Sequence, residues 1–402
     1  MKVGYQNDKY YYKRNVTNIV PDADYVKAID VNKLVRPIVW RANRILGRQI
    51  FDPTDLAFSF TDFDLNRVDL LHFFNAVSFG TTPWITTFET IVPRFRNARS
   101  CHIGRNCDYS SLTHEPKTLK ALQALSGDAC RKLIALSKCS LKMQVDFLDH
   151  FPEYRSQIEP KLINLHPPQP LLIEEYDSKQ LALDDQIRFM FVGNAFFRKG
   201  GIEILESFQE ARKNNGYDLR LIIVSSLSID DYATKETKED VARAKRLIDE
   251  NRDWVEYSGR LRNQQVIDLM KSAHIGLLPT YADTYGYSVL EFQAAGCPVI
   301  STNVRALPEI NDNEMGWVIE IPRNRLGEAI YVTHEDRAEI SALIKNGLAS
   351  AISEIMENRL AIRRKASAAL KHIKDDHSPT EYARRLGELY HQALALSVLR
   401  YR

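Results

Sequence analysis

Two carboxylates, Asp283 and Glu291, stand on either side of Gly286 in the stretch 280–302, which reads TYADTYGYSVLEFQAAGCPVIST. An ionised carboxylate accepts several hydrogen bonds at once, so an acid at each end of a loop-to-helix junction suits a polyhydroxylated ligand. A second group stands earlier in the chain. Gly193 closes an apolar run and is followed by Asn194, by Arg198 and Lys199, and by Gly200-Gly201 at the start of a helical pattern. Strand, glycine, cations and helix start make an anion site, because a helix N-terminus offers N–H groups and a positive dipole end while the cations add full charges suited to a diphosphate. Read alone, the loop is equally a solvated turn with two surface cations. Backbone N–H groups around Gly286, Tyr287 and Ser288 are placed similarly, with Ser288 readable as a simple cap.

The elements that must position these residues alternate. In the second half, apolar runs at 187–192, 219–224, 254–257, 274–278, 298–301 and 317–321 read as strands, and helical patterns lie between them at 202–213, 238–251 and 263–273, the last capped by Asn263. A parallel sheet covered on both faces follows. In the first half, 56–60, 68–74, 84–88 and 133–136 read as strands and 35–46 and 119–125 as helices, giving an α/β pattern without a fixed strand order. The stretch 94–113 has no clear period and reads as an irregular segment over a ligand cleft. Three prolines in His166-Pro167-Pro168-Gln169-Pro170 stop any regular element, which places a linker there. The chain thus divides into 1–168, 169–378 and a last helix over 379–402 that ends near Leu399.

The 402 residues suit two domains. The 54 basic and 52 acidic side chains nearly cancel, and the net charge of +2 gives no general argument for nucleic acid binding. Five cysteines without a CxxC pair fit a reducing compartment rather than a zinc site. The N-terminus lacks the apolar core of a signal peptide, and no run is long enough for a membrane span. Asp62-Phe63-Asp64 could hold a divalent cation on a diphosphate, but two oxygen ligands are weak grounds and the motif reads as a turn, as do Asp184-Asp185, Asp230-Asp231 and Asp375-Asp376. Basic clusters at 94–105 and 359–374 are either solvated faces or sites of peripheral contact with anionic lipid.

Taken together, the loop 193–201, the turn Tyr257-Ser258-Gly259-Arg260-Leu261 and the stretch DTYGYSVLEFQAAGCPVIST resemble the C-terminal half of the retaining glycosyltransferases of family 4, glycosyl transferases group 1. The likeness runs from Ile187 to about Ile321. It implies the GT-B fold, with two Rossmann-like domains facing a central cleft and a C-terminal helix crossing back to the first. It further implies a hexosyltransferase-type enzyme that moves a sugar, with retention, from a nucleoside diphosphate sugar to a glycan or lipid-linked acceptor, without metal, in cell-surface polysaccharide or lipopolysaccharide synthesis at the cytoplasmic face of a membrane.

By the same resemblance Glu291 would hold the nucleotide ribose, Asp283 the donor sugar, Gly193, Asn194, Gly286, Tyr287 and Ser288 the diphosphate, and Gly259 and Arg260 the base. Lys199 matches the family's diphosphate lysine. Asn194 stands where an arginine is usual, with Arg198 expected to compensate, and Asp283 stands where a glutamate is usual. On the acceptor side His72 keeps one member of a His-x-His pair whose other position is Phe74, and Glu89 replaces a histidine. Ser137 and Lys138 fit a family strand near the cleft or an ordinary helix cap. The departures motivate an alternative, a non-catalytic nucleotide-sugar-binding or scaffold subunit of the same fold. A sugar nucleotide epimerase has no motif in its favour.

Overall fold

Strands buried on both faces need helices on both sides, and this is what the apolar runs produce. The computed structural model describes residues 1–47, 52–179, 181–183, 186–230 and 232–398. The turns read at Asp184-Asp185 and at Asp231, and the helix end near Leu399, lie outside the described residues. By its contacts the chain forms two compact units, Met1–Pro168 with Pro379–Arg402, and Gln169–Ser378.

The first unit holds β1 (Lys2–Tyr5), β2 (Asp24–Lys27), β3 (Ser59–Phe60), β4 (Leu70–Phe74), β5 (Val77–Ser78), β6 (Trp84–Phe88), β7 (Cys130–Ala135) and β8 (Leu162–Asn164). Six of these form a parallel sheet in the order β2-β1-β4-β6-β7-β8, while β3 and β5 pair separately. The helix Pro379–Val398 belongs to this unit. Tyr382, Leu386, Tyr390 and Ala393 pack with Val3, Leu70, Ile85 and Ile134 in one buried cluster.

The second unit holds β9 (Ile187–Gly193), β10 (Leu219–Ser225), β11 (Val255–Ser258), β12 (Ile275–Leu278), β13 (Val299–Thr302) and β14 (Gly316–Ile319). Their order is β11-β10-β9-β12-β13-β14, all parallel, with Phe191 opposite Ile223 on one side and Leu277 on the other. The chain steps outward from β9 in one direction through β11, then returns to the other side of β9 with β12. The loops leaving the C-terminal ends of β9 and β12 therefore diverge, and a doubly wound sheet binds ligands in the crevice so opened.

Three local readings change. The run 56–60 is not one strand: Asp52 accepts from Thr54 N at 2.7 Å and Pro53 takes the first helical position, so a helix Pro53–Ala57 precedes the short β3. The segment 94–113 contains a helical turn, Arg96–Ser100, and a 3₁₀ turn, Ser110–Leu112. The cap of the helix Asn263–Ser272 is Arg262, whose N–H donates to Gln265 Oε1 at 3.1 Å, rather than Asn263. Among the described residues no helix is long and apolar enough to cross a membrane.

Candidate functional site

The two loops at the crevice meet through Lys199 and Asp283. β9 ends at Gly193, and a Cβ there would lie 2.4 Å from Lys199 Cδ, so the missing side chain is what lets the lysine fold back across the strand end. Lys199 Nζ lies 3.3 Å from Asp283 Oδ2, and each side chain is only 15% exposed. The other carboxylate oxygen accepts from Tyr285 N at 3.2 Å and Gly286 N at 2.9 Å. Burial pushes the Asp283 carboxyl up, but the charges of Lys199 and Arg198 and these hydrogen bonds outweigh it and hold its pKa below the ordinary value. Gly286, at φ +93°, caps the helix Tyr287–Ala294. A left-handed cap at that position turns the chain from the Asp283 loop into the helix.

Arg198 does not reach outward. Its Nε donates to Asp230 Oδ2 at 2.8 Å, Nη1 donates to Ala282 O, and the guanidinium sits over the Tyr232 ring, 5.9 Å from its centroid. Its own carbonyl accepts from Tyr281 N at 2.9 Å. The arginine thus ties the β9 loop to the β12 loop, and the expectation that it stands in for an arginine at Asn194 meets a side chain already engaged. Tyr232 is in turn held by Glu328, to which its hydroxyl donates at 3.2 Å, and Arg305 pairs with the same carboxylate. Asp230, Tyr232 and Glu328 were not legible as site residues. By sequence Asp230 reads as part of a turn, and its partner lies 32 positions away.

The backbone of the first loop is likewise occupied. The N–H groups of Lys199, Gly200 and Gly201 donate to the carbonyls of Ala195, Phe197 and Phe196. This loop therefore offers an anion the Lys199 ammonium rather than those three N–H groups. Asn194 is exposed beside it, its carbonyl accepting from Ser226 Oγ at 2.6 Å. At the second helix start Ser288 is buried and its hydroxyl has no hydrogen-bond partner among the described residues, which is costly unless a ligand supplies one. Ser288 is not the cap. Tyr287 packs against Tyr285 with ring centroids 5.2 Å apart and planes tilted by 34°, Glu291 lies half-buried on the same helix, and Gly259 and Arg260 are exposed beyond the end of β11. All of these follow C-terminal strand ends, which share one edge of the sheet.

The residues expected on the acceptor side sit in the first unit. His72, on β4, is fully buried, with Nδ1 2.8 Å from Tyr390 Oη and Nε2 2.9 Å from Thr87 Oγ1. Both ring nitrogens are spent inside the core, and burial lowers the imidazole pKa to about 3, so His72 is a structural residue here and not a base open to substrate. Phe74, its neighbour in the expected pair, packs against Tyr11 at 4.8 Å. Glu89 follows β6, pairs with Arg94 and accepts from Asn75 Nδ2 at 3.5 Å. Ser137 caps the helix Lys138–Leu148, accepting from Ser140 N at 3.0 Å. In Asp62-Phe63-Asp64, Asp62 Oδ1 accepts from Asp64 N at 3.0 Å while Asp64 accepts from Thr81 N at 2.8 Å, so both carboxylates shape turns.

Comparison with known proteins bears on this arrangement. Residues 173–350 match the family described as Glycosyl transferases group 1. An uncharacterised glycosyltransferase of Methanocaldococcus jannaschii is 26% identical over 241 residues, covering 58% of this chain and 57% of that protein. The chain spans about half the length of the curated relatives it matches. Among solved structures, Anabaena HepE in complex with UDP aligns with a TM-score of 0.56 at 11% identity, over 96% of this chain and 99% of that one. WaaG, a glycosyltransferase involved in lipopolysaccharide biosynthesis, aligns with a TM-score of 0.55 at 16% identity, over 95% and 98%. At such identities these likenesses show the fold, two Rossmann-like domains of GT-B type.

Proposed function

From a chain whose residues 173–350 carry a glycosyl transferases group 1 domain, we infer a retaining glycosyltransferase that takes a nucleoside diphosphate sugar in its second unit and passes the sugar to a hydroxyl of a glycan or lipid-linked acceptor. The observation that carries this reading is the Lys199–Asp283 pair, largely buried where the loops after β9 and β12 diverge. A fixed ammonium facing the departing diphosphate lowers the barrier through charge that is already in place. The bond from the anomeric carbon to the diphosphate oxygen breaks, the acceptor oxygen bonds to that carbon on the same face, and the acceptor proton passes to the departing diphosphate. Asp283 orients Lys199 from one side, Ser288 offers its unpartnered hydroxyl to the phosphates, and Glu291 takes the ribose hydroxyls. Cation chemistry at the diphosphate is assigned to Lys199, so this reading needs no metal.

The test is turnover of a panel of nucleoside diphosphate sugars, with and without EDTA. Lys199→Ala is expected to lower kcat by about 100-fold or more, and Glu291→Ala to weaken donor binding, while EDTA leaves the rate unchanged. Undiminished transfer in both variants would sink the assignment. The engaged Arg198 and the exposed Asn194 favour the second reading, a subunit that binds the donor without transferring it. Calorimetry that registers donor binding, with neither hydrolysis nor transfer across many acceptors, selects that reading instead.

A further inference from the structure

The helix Val31–Leu46 in the first unit has no fully buried residue, although more than half of its side chains are apolar. It rests by one flank on the helix Pro53–Ala57 and on β3. Two neighbouring lines of its outer surface are open to solvent. One runs Leu34, Ile38, Arg41, Ile45, and its aliphatic members are 67%, 66% and 83% exposed. The other runs Lys33, Pro37, Trp40, Arg44, with Trp40 56% exposed and the Arg44 guanidinium stacked over its ring at 5.7 Å. The spacing i, i+4, i+7, i+11 keeps each line on one side of the helix.

Charge separates this surface from an ordinary solvated helix. With Arg36 the helix carries Lys33, Arg41 and Arg44 and no acidic residue, although the whole chain is nearly balanced. No carboxylate pairs with these cations among the described residues. The basic clusters at 94–105 and 359–374 differ, since Arg94 and Arg96 pair with Glu89 and Asp52, and Arg363 and Lys371 with Asp177 and Asp375. The turn carrying Phe63 and Leu65, 71% and 66% exposed, is tied beside the start of the helix, because Asn66 exchanges hydrogen bonds with the Ile29 backbone.

We propose that the helix Val31–Leu46 docks the protein on an anionic lipid bilayer, lying in the interface with its aliphatic line and Trp40 among the acyl boundary and its cations on the headgroups. Exposed aliphatics interleaved with arginine, a tryptophan at the boundary and a uniformly positive helix are what such an interface selects. Nucleic acid would use the cations and leave Leu34, Ile38 and Ile45 in water. This assignment stands whether or not the transferase reading holds.

The full chain supplies its own probe, because Trp84, Trp254 and Trp317 are buried and Trp40 is not. Vesicles of phosphatidylcholine alone and of phosphatidylcholine with phosphatidylglycerol are mixed with the protein, sedimented, and read by tryptophan emission. At about 0.1 M salt the anionic vesicles are expected to retain at least about 10-fold more protein and to shift the emission to the blue, and at about 1 M salt, where screening is short, retention falls. Leu34→Ser/Ile38→Ser/Ile45→Ser and, separately, Arg41→Gln/Arg44→Gln each lose retention by about 10-fold with an unchanged circular dichroism spectrum. Trp40→Phe keeps most of the retention and loses the spectral shift. Equal retention of wild type and triple-serine variant, or none on either vesicle, overturns the proposal. So does a concentration-dependent dimer abolished by the serine variant without vesicle binding, or duplex DNA binding abolished by the glutamine variant alone.

Discussion

A side chain at position 193 would occupy the space that the Lys199 methylenes fill, and that single absence sets the geometry of the site. Gly193→Ala places a methyl 2.4 Å from Lys199 Cδ, so the lysine must swing off the strand end and away from Asp283. The atoms in the way are the far end of a flexible side chain, so the shift costs the fold little, but a catalytic group displaced by an ångström loses on the order of 100-fold in rate. Gly259→Ala is the control, since nothing lies within 4 Å of a Cβ there, and its stability is expected to match wild type. Chemical denaturation and turnover measured side by side decide it, and full activity in Gly193→Ala would refute the role given to Lys199. The glycine, the lysine and the acid were legible because each follows an apolar run at a loop-to-helix junction. Arg198 was legible only as a charge. Its partners Asp230, Ala282 and Tyr232 come from two other loops, and no local pattern announces a guanidinium that braces loops rather than binding anions.

At the scale of elements, the second sheet was readable because each of its strands is a short apolar run between helices, as in 219–224 for β10 and 274–278 for β12. The first was less so. Its edge strand β2 has no buried residue, and β3 hides behind a capped helical turn. The helix Pro379–Val398 was readable as a helix, but its partner His72 lies 318 positions upstream of Tyr390, beyond any local signal. That contact makes a pH prediction. His72 keeps a pKa near 3 against an ordinary 6.5, so above 6.5 the imidazole is neutral folded and unfolded, and its contribution is fully present. As the pH falls from 6.5 toward 3 the unfolded chain binds a proton that the folded chain refuses, and stability is lost, by about 2 kcal/mol at pH 5. His72→Gln cannot titrate. The drop in unfolding free energy between pH 7 and pH 5 should shrink by that amount in the variant, and identical drops in the two proteins would place the pH sensitivity elsewhere, for instance at His274, lowered to about 4 by burial first and by the charges of Lys179 and Arg188.

For the whole molecule, the second unit is an insertion: Gln169–Ser378 lies between the two segments that build the first, and the last helix completes a core begun at Val3. Each unit has its own sheet and its own buried apolar residues, so unfolding is not expected to be all-or-none. A ligand that binds one folded unit stabilises that unit, by about 2.7 kcal/mol when present at 100 times its dissociation constant. On the function proposed above, a nucleoside diphosphate such as UDP is expected to raise the melting transition of the second unit. Amide exchange should slow at 193–201 and 283–291 in the same experiment, where Lys199, Asp283, Ser288 and Glu291 sit, while β1 to β8 keep their rates. The anionic vesicles should do the reverse, slowing exchange over 31–46 and leaving the second unit untouched. Protection by UDP confined to the first unit would mean that the Lys199–Asp283 pair holds two loops together and nothing more, since a site that gains no protection from its ligand does not bind it.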